Sequence, residues 1–313
     1  MKVTIIGTGS VGSTIAYTMT VMGLAKEIVM IDVNTEKAMG EALDIRQGVP
    51  FFTPCSVYAG SYRDADNSDI VVITSGIARK PGQSRLDLAQ TNVNIMKSIL
   101  PEITKYAPDA KYIVVSNPVD ILTYVLFKRS GLPAKNIIGS GTVLDTARLR
   151  ARLSEYYNIS QKNVHAYVLG EHGDSSFVPW SSANISNVSV ADFAVNAESF
   201  NFAVPAFDTD EVEKYVRTSG AKVIGRKGAT FFAVSASVCY IAQALQSSIN
   251  STLTVSTLIN GEYGINDCCL SLPCVVSNDG VGGKIHLNLN DNEVAQLRNS
   301  EQCLKTILNQ LEI

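Results

Sequence analysis

His172 is the side chain in this sequence best suited to proton transfer. The chain has three histidines, His165, His172 and His286, and His172 has glycines on both sides in "GEHGDS", directly after an apolar run. That position predicts an imidazole exposed at the end of a strand, where a packing histidine gains little. His286, in the alternating stretch "KIHLNLN", is predicted to be a structural or exposed residue of a strand. Because an imidazole titrates near neutral pH, His172 is the predicted acid and base.

A helix predicted from about Thr142 carries a carboxylate and a guanidinium that fit the same chemistry. Asp145 and Arg148, in "VLDTARLR", are three residues apart and share a helix face. A catalytic histidine needs a carboxylate to orient its ring, and the planar fork of arginine suits a substrate carboxylate. An intrahelical ion pair is the structural alternative for these two residues. We predict an active site and not an ion pair alone because His172, Asp145 and Arg148 together have the groups that one proton-transfer reaction needs.

The N-terminal stretch "VTIIGTGSVGS" carries a dinucleotide-binding pattern. Gly7, Gly9 and Gly12 follow a predicted strand and open a helix, where they permit a tight turn, close approach of a pyrophosphate and helix–strand packing. Free N–H groups at the helix N-terminus favour that anion. Asp32 comes 20 residues after Gly12, at the end of a second strand, and a carboxylate there favours NAD over NADP. An ordinary strand–turn–helix unit with a capping aspartate is the alternative.

An α/β fold must position these residues. Continuous apolar runs ("VTIIG", "EIVMID", "DIVVIT", "KYIVVSNP") alternate with helical stretches, which predicts a Rossmann fold with a doubly wound parallel sheet. Asn117 ends the fourth run, at the carboxyl edge where such sheets bind ligands. Later strands alternate as antiparallel strands do, among predicted helices. We therefore predict an NAD-binding domain of residues 1–140 and an α+β substrate-binding, catalytic domain of residues 141–313.

Composition and charge exclude several classes of protein. The 313 residues suggest about two domains, and 46% hydrophobic residues exclude global disorder. A net charge of −3 argues against nucleic acid or an anionic membrane as a partner. No apolar run approaches the roughly 18 residues of a membrane span, and a strand at the first residues leaves no room for a signal peptide. We predict a cytoplasmic protein.

The cysteines carry no metal or disulfide signature. Cys268, Cys269 and Cys274 cluster in the sequence, but no histidine follows them at zinc-ligand spacing, and the six cysteines show no disulfide-framework spacing. Buried, reduced thiols are therefore predicted, with a metal site as the remote alternative.

Several motifs resemble one family in sequence and in order, nearly from end to end. They are "GTGSVGS", "SRLDLAQTNVNI", "VSNPVDILTYV", "IIGSGTVLDTARLR", "NVHAYVLGEHGDS" and "KGATFF". The chain resembles the L-lactate/malate dehydrogenase family, and its bacterial L-lactate branch most of all. The resemblance implies an NAD-dependent L-2-hydroxy-acid dehydrogenase, a homotetramer that interconverts pyruvate and L-lactate by hydride transfer and regenerates NAD for glycolysis in fermentation.

The resemblance also implies a role for each site residue. His172 is expected to donate and accept the proton at the substrate C2 oxygen, with Asp145 as its orienting partner. Arg148 is expected to bind the substrate carboxylate. Arg85, predicted to lie on a loop that closes over the site, would polarise the carbonyl. Asn117 would hydrogen-bond near the carbonyl and the nicotinamide.

Substrate preference depends on the loop in "SGIARKPGQSRLDL". Arg79 stands where lactate dehydrogenases usually have glutamine and malate dehydrogenases arginine, and it could pair with the second carboxylate of oxaloacetate. Glu171 before the histidine and Thr230 in the substrate pocket match the lactate branch. We predict pyruvate and L-lactate as substrates with measurable oxaloacetate activity, and malate dehydrogenase is the alternative.

A second anion site follows from the same resemblance. Arg150 and His165 occupy positions that bind fructose 1,6-bisphosphate across a subunit interface in similar bacterial enzymes, and a symmetric dimer would bring two copies of each together. A surface arginine and a strand histidine are the alternative. Another alternative, of a different class, is a non-catalytic NAD-binding protein, because a fold alone does not determine activity.

Overall fold

The structure is a computed structural model that describes residues 1–78, 82, 84–196 and 207–313. The strands are β1 (Lys2–Ile6), β2 (Glu27–Ile31), β3 (Ser56–Ala59), β4 (Ile70–Ile73), β5 (Lys111–Val114), β6 (Ile137–Gly139), β7 (Val164–His165), β8 (Asn184–Ile185), β9 (Val188–Ser189), β10 (Ser251–Asn260), β11 (Asn266–Ser277) and β12 (Gly280–Lys284). The helices are α1 (Ser10–Val21), α2 (Thr35–Gly48), α3 (Arg85–Tyr106), α4 (Val119–Ser130), α5 (Val143–Tyr157), α6 (Val190–Asn196), α7 (Thr209–Lys227), α8 (Phe232–Gln246) and α9 (Asp291–Leu308).

The predicted doubly wound parallel sheet is confirmed. Six parallel strands lie in the order β3-β2-β1-β4-β5-β6, so the direction of winding reverses between β1 and β4. Crevices at such a reversal, outside the carboxyl ends of the strands, are where these sheets bind ligands. β3 and β6 were not predicted from the sequence, because strands of four and three residues are too short to show a periodic signal.

The antiparallel strands extend this same sheet. β10 joins the edge of β6 through the pair Ser256 and Gly139, and β11 and β12 follow it in antiparallel register. A Cβ atom on Gly139 would lie 2.8 Å from the Cβ of Ser256, so this close junction requires glycine. The predicted strand through "KIHLNLN" was wrong, because β12 ends at Lys284; His286 lies beyond it and is exposed, as predicted, with its ring stacked on Tyr263.

Burial on both faces of the sheet explains the continuous apolar runs. All four residues of β4 are buried, with Ile70 and Val72 in the core on one face and Val71 and Ile73 in the core on the other. Successive side chains of a strand point to opposite faces, so a strand covered by helices on both sides is apolar throughout. Helices α1, α2 and α8 pack on the first face, and α3, α4 and α9 on the second.

The clustered cysteines belong to this core. Cys268, Cys269 and Cys274 lie on β11, are almost fully buried and have free thiols, and burial raises the pKa of Cys268 and of Cys274 to about 12. Across the described ranges, no group of three histidine, cysteine, aspartate or glutamate side chains could hold a metal ion. In the same part of the chain, no helix combines the length and the apolar character that crossing a membrane requires.

Candidate active site

The His172 imidazole meets the start of α5 at the carboxyl edge of the sheet. Gly170 bridges to Ser271 of β11, which brings the following turn over α5. His172 Nδ1 lies 2.6 Å from one carboxylate oxygen of Asp145, and Arg148 donates to the other oxygen at 2.7 Å. The structure therefore joins the three residues predicted from the sequence. The intrahelical ion pair, considered above as the alternative, is present as well and forms part of the same cluster.

Charges in this cluster favour the protonated imidazole. The Asp145 carboxylate raises the pKa of His172 to about 9, against a burial that would lower it. Burial raises the pKa of Asp145, but the charges of His172 and Arg148 outweigh burial and hold it below its usual value. At neutral pH, His172 is thus an imidazolium held by a carboxylate. Such a group can donate a proton to a carbonyl oxygen as that oxygen gains negative charge.

Two cavities meet at Asn117. One, of about 200 Å³, is lined by Asn117, His172 and Arg85 among others. The other, of about 220 Å³, is lined by Asn117, Thr230 and the segment that follows β4. Asn117 therefore faces both the proton-transfer group and the nucleotide-binding end of the sheet. Arg79, predicted to contact the substrate, lies outside the described residues.

Arg85 lies at the start of a helix, not within the loop that the sequence analysis predicted. Ser84 and Asp87 form a reciprocal capping box, so α3 begins at Arg85. The pattern of a serine with an acidic residue three positions later was a recognisable start signal. The Arg85 guanidinium pairs with Asp174, two residues after His172, and its side chain is 62% exposed. Arg85 is thus placed at the mouth of the cavity that contains His172.

The glycine-rich turn fits a dinucleotide. Gly7 has φ +102°, and a Cβ atom on Gly12 would lie 1.8 Å from the Gly7 carbonyl oxygen, so both positions require glycine. Gly9 precedes α1 without a side-chain cap, and a Cβ atom there would meet nothing within 4 Å. Gly9 therefore leaves room for a pyrophosphate to approach the uncapped N-terminus of α1.

Asp32 directly follows β2 and lies beside this turn, at the strand end where it was predicted. Its carboxylate accepts hydrogen bonds from the Thr8 N–H at 2.6 Å and from the Asn34 N–H at 2.9 Å. Burial raises the pKa of Asp32, but these hydrogen bonds outweigh burial and hold it below its usual value. The side chain is thus a carboxylate with acceptor capacity left for a ribose hydroxyl. Its bonds also hold the glycine turn, a role that the sequence analysis missed.

Arg150 contacts the chain directly after His165, outside the proton-transfer cluster. Arg150 Nε donates to the carbonyl of Ala166 at 3.1 Å, and its guanidinium covers the Tyr167 ring. His165, the residue before Ala166, is exposed on β7. Arg150 also lines a cavity of about 430 Å³ between α5, α8 and β10, which does not contain His172. Arg150 thus contacts the two residues that follow His165, and its cavity is separate from the proton-transfer cluster.

This arrangement is that of an NAD-dependent dehydrogenase: an open parallel sheet, a glycine-rich turn that fits a dinucleotide, and a histidine paired with a carboxylate. Family models agree: residues 1–139 match the NAD-binding domain of lactate/malate dehydrogenases, and residues 142–312 match the alpha/beta C-terminal domain of the same family. The chain belongs to the lactate/malate dehydrogenase family, and its cofactor is NAD.

Similar proteins cover the whole chain. This chain is 45% identical over 315 aligned positions to an L-lactate dehydrogenase of Thermoanaerobacterium saccharolyticum. The alignment covers 100% of this chain and 99% of that protein. An L-lactate dehydrogenase of Acetivibrio thermocellus is 44% identical, with 100% and 98% covered. Among solved structures, a lactate dehydrogenase from a Medee basin deep-sea metagenome library has a TM-score of 0.94 at 39% identity, with 100% and 99% covered. The ligand-bound minor L-lactate dehydrogenase of Enterococcus mundtii also has a TM-score of 0.94, at 37% identity, with 100% and 98% covered.

Proposed function

We propose that the protein is an L-lactate dehydrogenase that interconverts pyruvate and L-lactate. The observation that carries this proposal is the cluster in which Asp145 holds both His172 and Arg148, beside a cavity that reaches Asn117. The names of the similar proteins support the same substrate. In this proposal, residues 1–140 bind NAD and residues 141–313 bind the substrate and supply the acid–base group.

The side chains of this chain divide the work of the reaction. When bound, the reduced cofactor would supply the hydride to C2 of pyruvate, and the oxidised cofactor would accept it from C2 of lactate. Arg148 binds the substrate carboxylate through N–H groups that Asp145 does not use, and this orients C2. His172 donates its proton to the C2 oxygen during pyruvate reduction and accepts it back during lactate oxidation. Asp145 keeps the imidazole in place and stabilises its charged form.

Arg85 completes the site when it leaves Asp174. Both partners of this ion pair are mostly exposed, so water screens the pair and it holds Arg85 weakly. Movement of the start of α3 toward His172 would bring the guanidinium to the C2 oxygen and expel water from the cavity. Exclusion of water strengthens each charge interaction in the site. Thr230 and Asn117 would bound the space that the substrate C3 group and the nicotinamide occupy.

Pyruvate is expected to exceed oxaloacetate as a substrate, although Arg79 favours a second carboxylate. The test compares kcat/KM for both oxo acids with NADH, in the native protein and in Arg79→Gln. We expect pyruvate to dominate, and Arg79→Gln to lower oxaloacetate turnover by about tenfold, or about 1.4 kcal/mol, with little change for pyruvate. Oxaloacetate tenfold ahead of pyruvate in the native protein would instead establish malate dehydrogenase activity.

Fructose 1,6-bisphosphate is expected to activate the enzyme through Arg150 and His165. In the proposed assembly, Arg150 and His165 of each subunit would form half of a cationic pocket, and ligand-biased closure of the active site would lower the KM for pyruvate. The measurement is a pyruvate saturation curve with and without the bisphosphate, in the native protein and in Arg150→Gln. Arg152→Gln is the matched control, because Arg152 lies on the same helix but pairs with Glu211. Identical native curves with and without the bisphosphate would exclude activation.

Assembly as a homotetramer is part of the same proposal. Large apolar side chains are exposed on neighbouring helices: Met39 and Leu43 of α2, and Phe232 and Tyr240 of α8 are each at least 45% exposed. Burying them against a second subunit would stabilise an oligomer. Since the six cysteines are free, a reducing compartment such as the cytoplasm suits the protein. There it would regenerate NAD for glycolysis during fermentation.

A further inference from the structure

The main chain of His172 is held by a second buried carboxylate. Asp120, in the first turn of α4, accepts the His172 backbone N–H at 2.7 Å through Oδ2 and is only 2% exposed. Asp145 holds the ring of the same histidine from α5. His172 is therefore held at two points by two different helices, and the sequence analysis identified only one of the two carboxylates.

The second oxygen of Asp120 has only a weak partner. Within the described parts of the chain, neither Asp120 Oδ1 nor the hydroxyl of Ser256 on β10 has a hydrogen-bond partner of normal geometry, although the Ser256 hydroxyl is close enough to favour the charged form of Asp120. A buried carboxylate with one well-formed hydrogen bond costs stability. An uncharged amide would accept the same N–H from His172 at a lower cost. The hydrogen bond alone thus does not require the negative charge, and strongly perturbed buried carboxylates are concentrated at functional sites.

We propose that Asp120 is a positioning residue for proton transfer, which holds the main chain of His172 beside Asn117 and places a second buried carboxylate next to the turn that carries the imidazole. This inference rests on the proposed role of His172. Asp120 follows Asn117 by three residues. Its hydrogen bond to His172 therefore fixes the proton donor next to the carboxyl edge of the sheet, where the proposed nicotinamide site lies. Proton and hydride must arrive at neighbouring atoms of one substrate, and misplacement by about 1 Å can cost 10²-fold in rate.

The charged groups around His172 give the expected sign. Asp145 from α5 contributes most to the raised pKa of His172, and Asp120 from α4 adds to it, whereas Arg148 lowers it. Two further acidic residues lie on the same turn: Glu171, which raises the pKa of Asp120, and Asp174, which pairs with Arg85. The exposed ion pair between Arg85 and Asp174 lines the mouth of the cavity. Removing the Asp120 charge should therefore lower the pKa of His172.

Asp120 carries its charge in the pH range where His172 titrates. Burial raises the pKa of Asp120 to about 6, and the Ser256 hydroxyl and the His172 N–H oppose part of that rise. The neighbouring thiols of Cys268 and Cys269 on β11 stay neutral, because burial raises the pKa of both. Above its own pKa, and therefore while His172 titrates, Asp120 carries a negative charge on the α4 side of the imidazole.

The test separates the charge of Asp120 from its hydrogen bond. Asp120→Asn keeps an acceptor for the His172 N–H and offers its amide N–H to Ser256, whereas Asp120→Ala removes both functions. The imidazole pKa is measured by NMR on histidine-labelled protein, with His172→Asn used to assign one of three histidine signals. Asp120→Asn is expected to lower the pKa of His172 by about one unit. Asp109→Asn is the charge-matched control, since Asp109 precedes β5 at the opposite edge of the sheet.

Turnover supplies the second measurement. In the pH profile of kcat/KM for pyruvate, Asp120→Asn should shift the falling limb to lower pH by the same amount, and Asp120→Ala should also lower kcat at its own optimum by roughly 10- to 100-fold. An unchanged imidazole pKa in Asp120→Asn would overturn the role of the charge, and native kcat in Asp120→Ala would overturn the positioning role. Because the NMR titration needs no turnover, a native protein inactive on pyruvate would refute the proposed function separately.

Discussion

Replacing His172 by asparagine is expected to lower kcat for pyruvate reduction by ~10²- to 10⁴-fold, with NADH binding unchanged. Asparagine can accept or donate a hydrogen bond, but it cannot supply a proton to the C2 oxygen. The glycine turn that fits NAD lies at the other end of the crevice and does not involve this side chain. The measurements are steady-state kinetics with pyruvate and a fluorescence titration with NADH.

His286→Asn is the matched control for this variant. His286 is exposed and stacks on Tyr263, away from the crevice. The kcat of the His286→Asn variant is therefore expected to stay within about twofold of the native value. Native kcat in His172→Asn would show that another group donates the proton. A native protein that binds NADH but turns over neither pyruvate nor oxaloacetate would instead support the non-catalytic alternative.

Replacing Arg148 by lysine is expected to lower kcat/KM for pyruvate by roughly 30-fold or more, which corresponds to about 2 kcal/mol. Lysine keeps the positive charge beside Asp145 but loses the planar fork that binds a carboxylate through two parallel hydrogen bonds. The Arg148 side chain is 19% exposed, so water competes little with the substrate there. Most of the loss should therefore be a rise in KM, measured in pyruvate saturation curves.

Arg152→Lys provides the comparison on the same helix. Arg152 lies one turn further along α5, where it pairs with Glu211 and covers the Tyr215 ring, and its replacement should leave KM nearly unchanged. If Arg148→Lys raised KM no more than Arg152→Lys, another group would have to bind the substrate carboxylate. A fall in kcat at constant KM would mean that Arg148 acts mainly through Asp145.

The sequence alone determined the class of fold and the central chemistry. Parallel strands such as β4 are buried on both faces, so each appears in the sequence as a continuous apolar run. The glycine pattern followed by Asp32 is local, because a turn, a helix start and a strand end each need particular residues at fixed spacing. Asp145 and Arg148 are three residues apart on one helix, and helical geometry alone places them side by side.

Only the tertiary structure decided which distant residues support this chemistry. The bond from His172 to Asp120 joins residues 52 positions apart, and the pair of Arg85 with Asp174 joins residues 89 positions apart. The pairing of β10 with β6 likewise joins residues far apart in the sequence, Ser256 and Gly139. Periodicity shows which face of an element is buried, but it does not show which element covers that face. Asp120 belongs to no periodic pattern, and its partner is distant in the sequence. Its bond to His172 therefore becomes visible only when α4 packs beside the turn that carries His172.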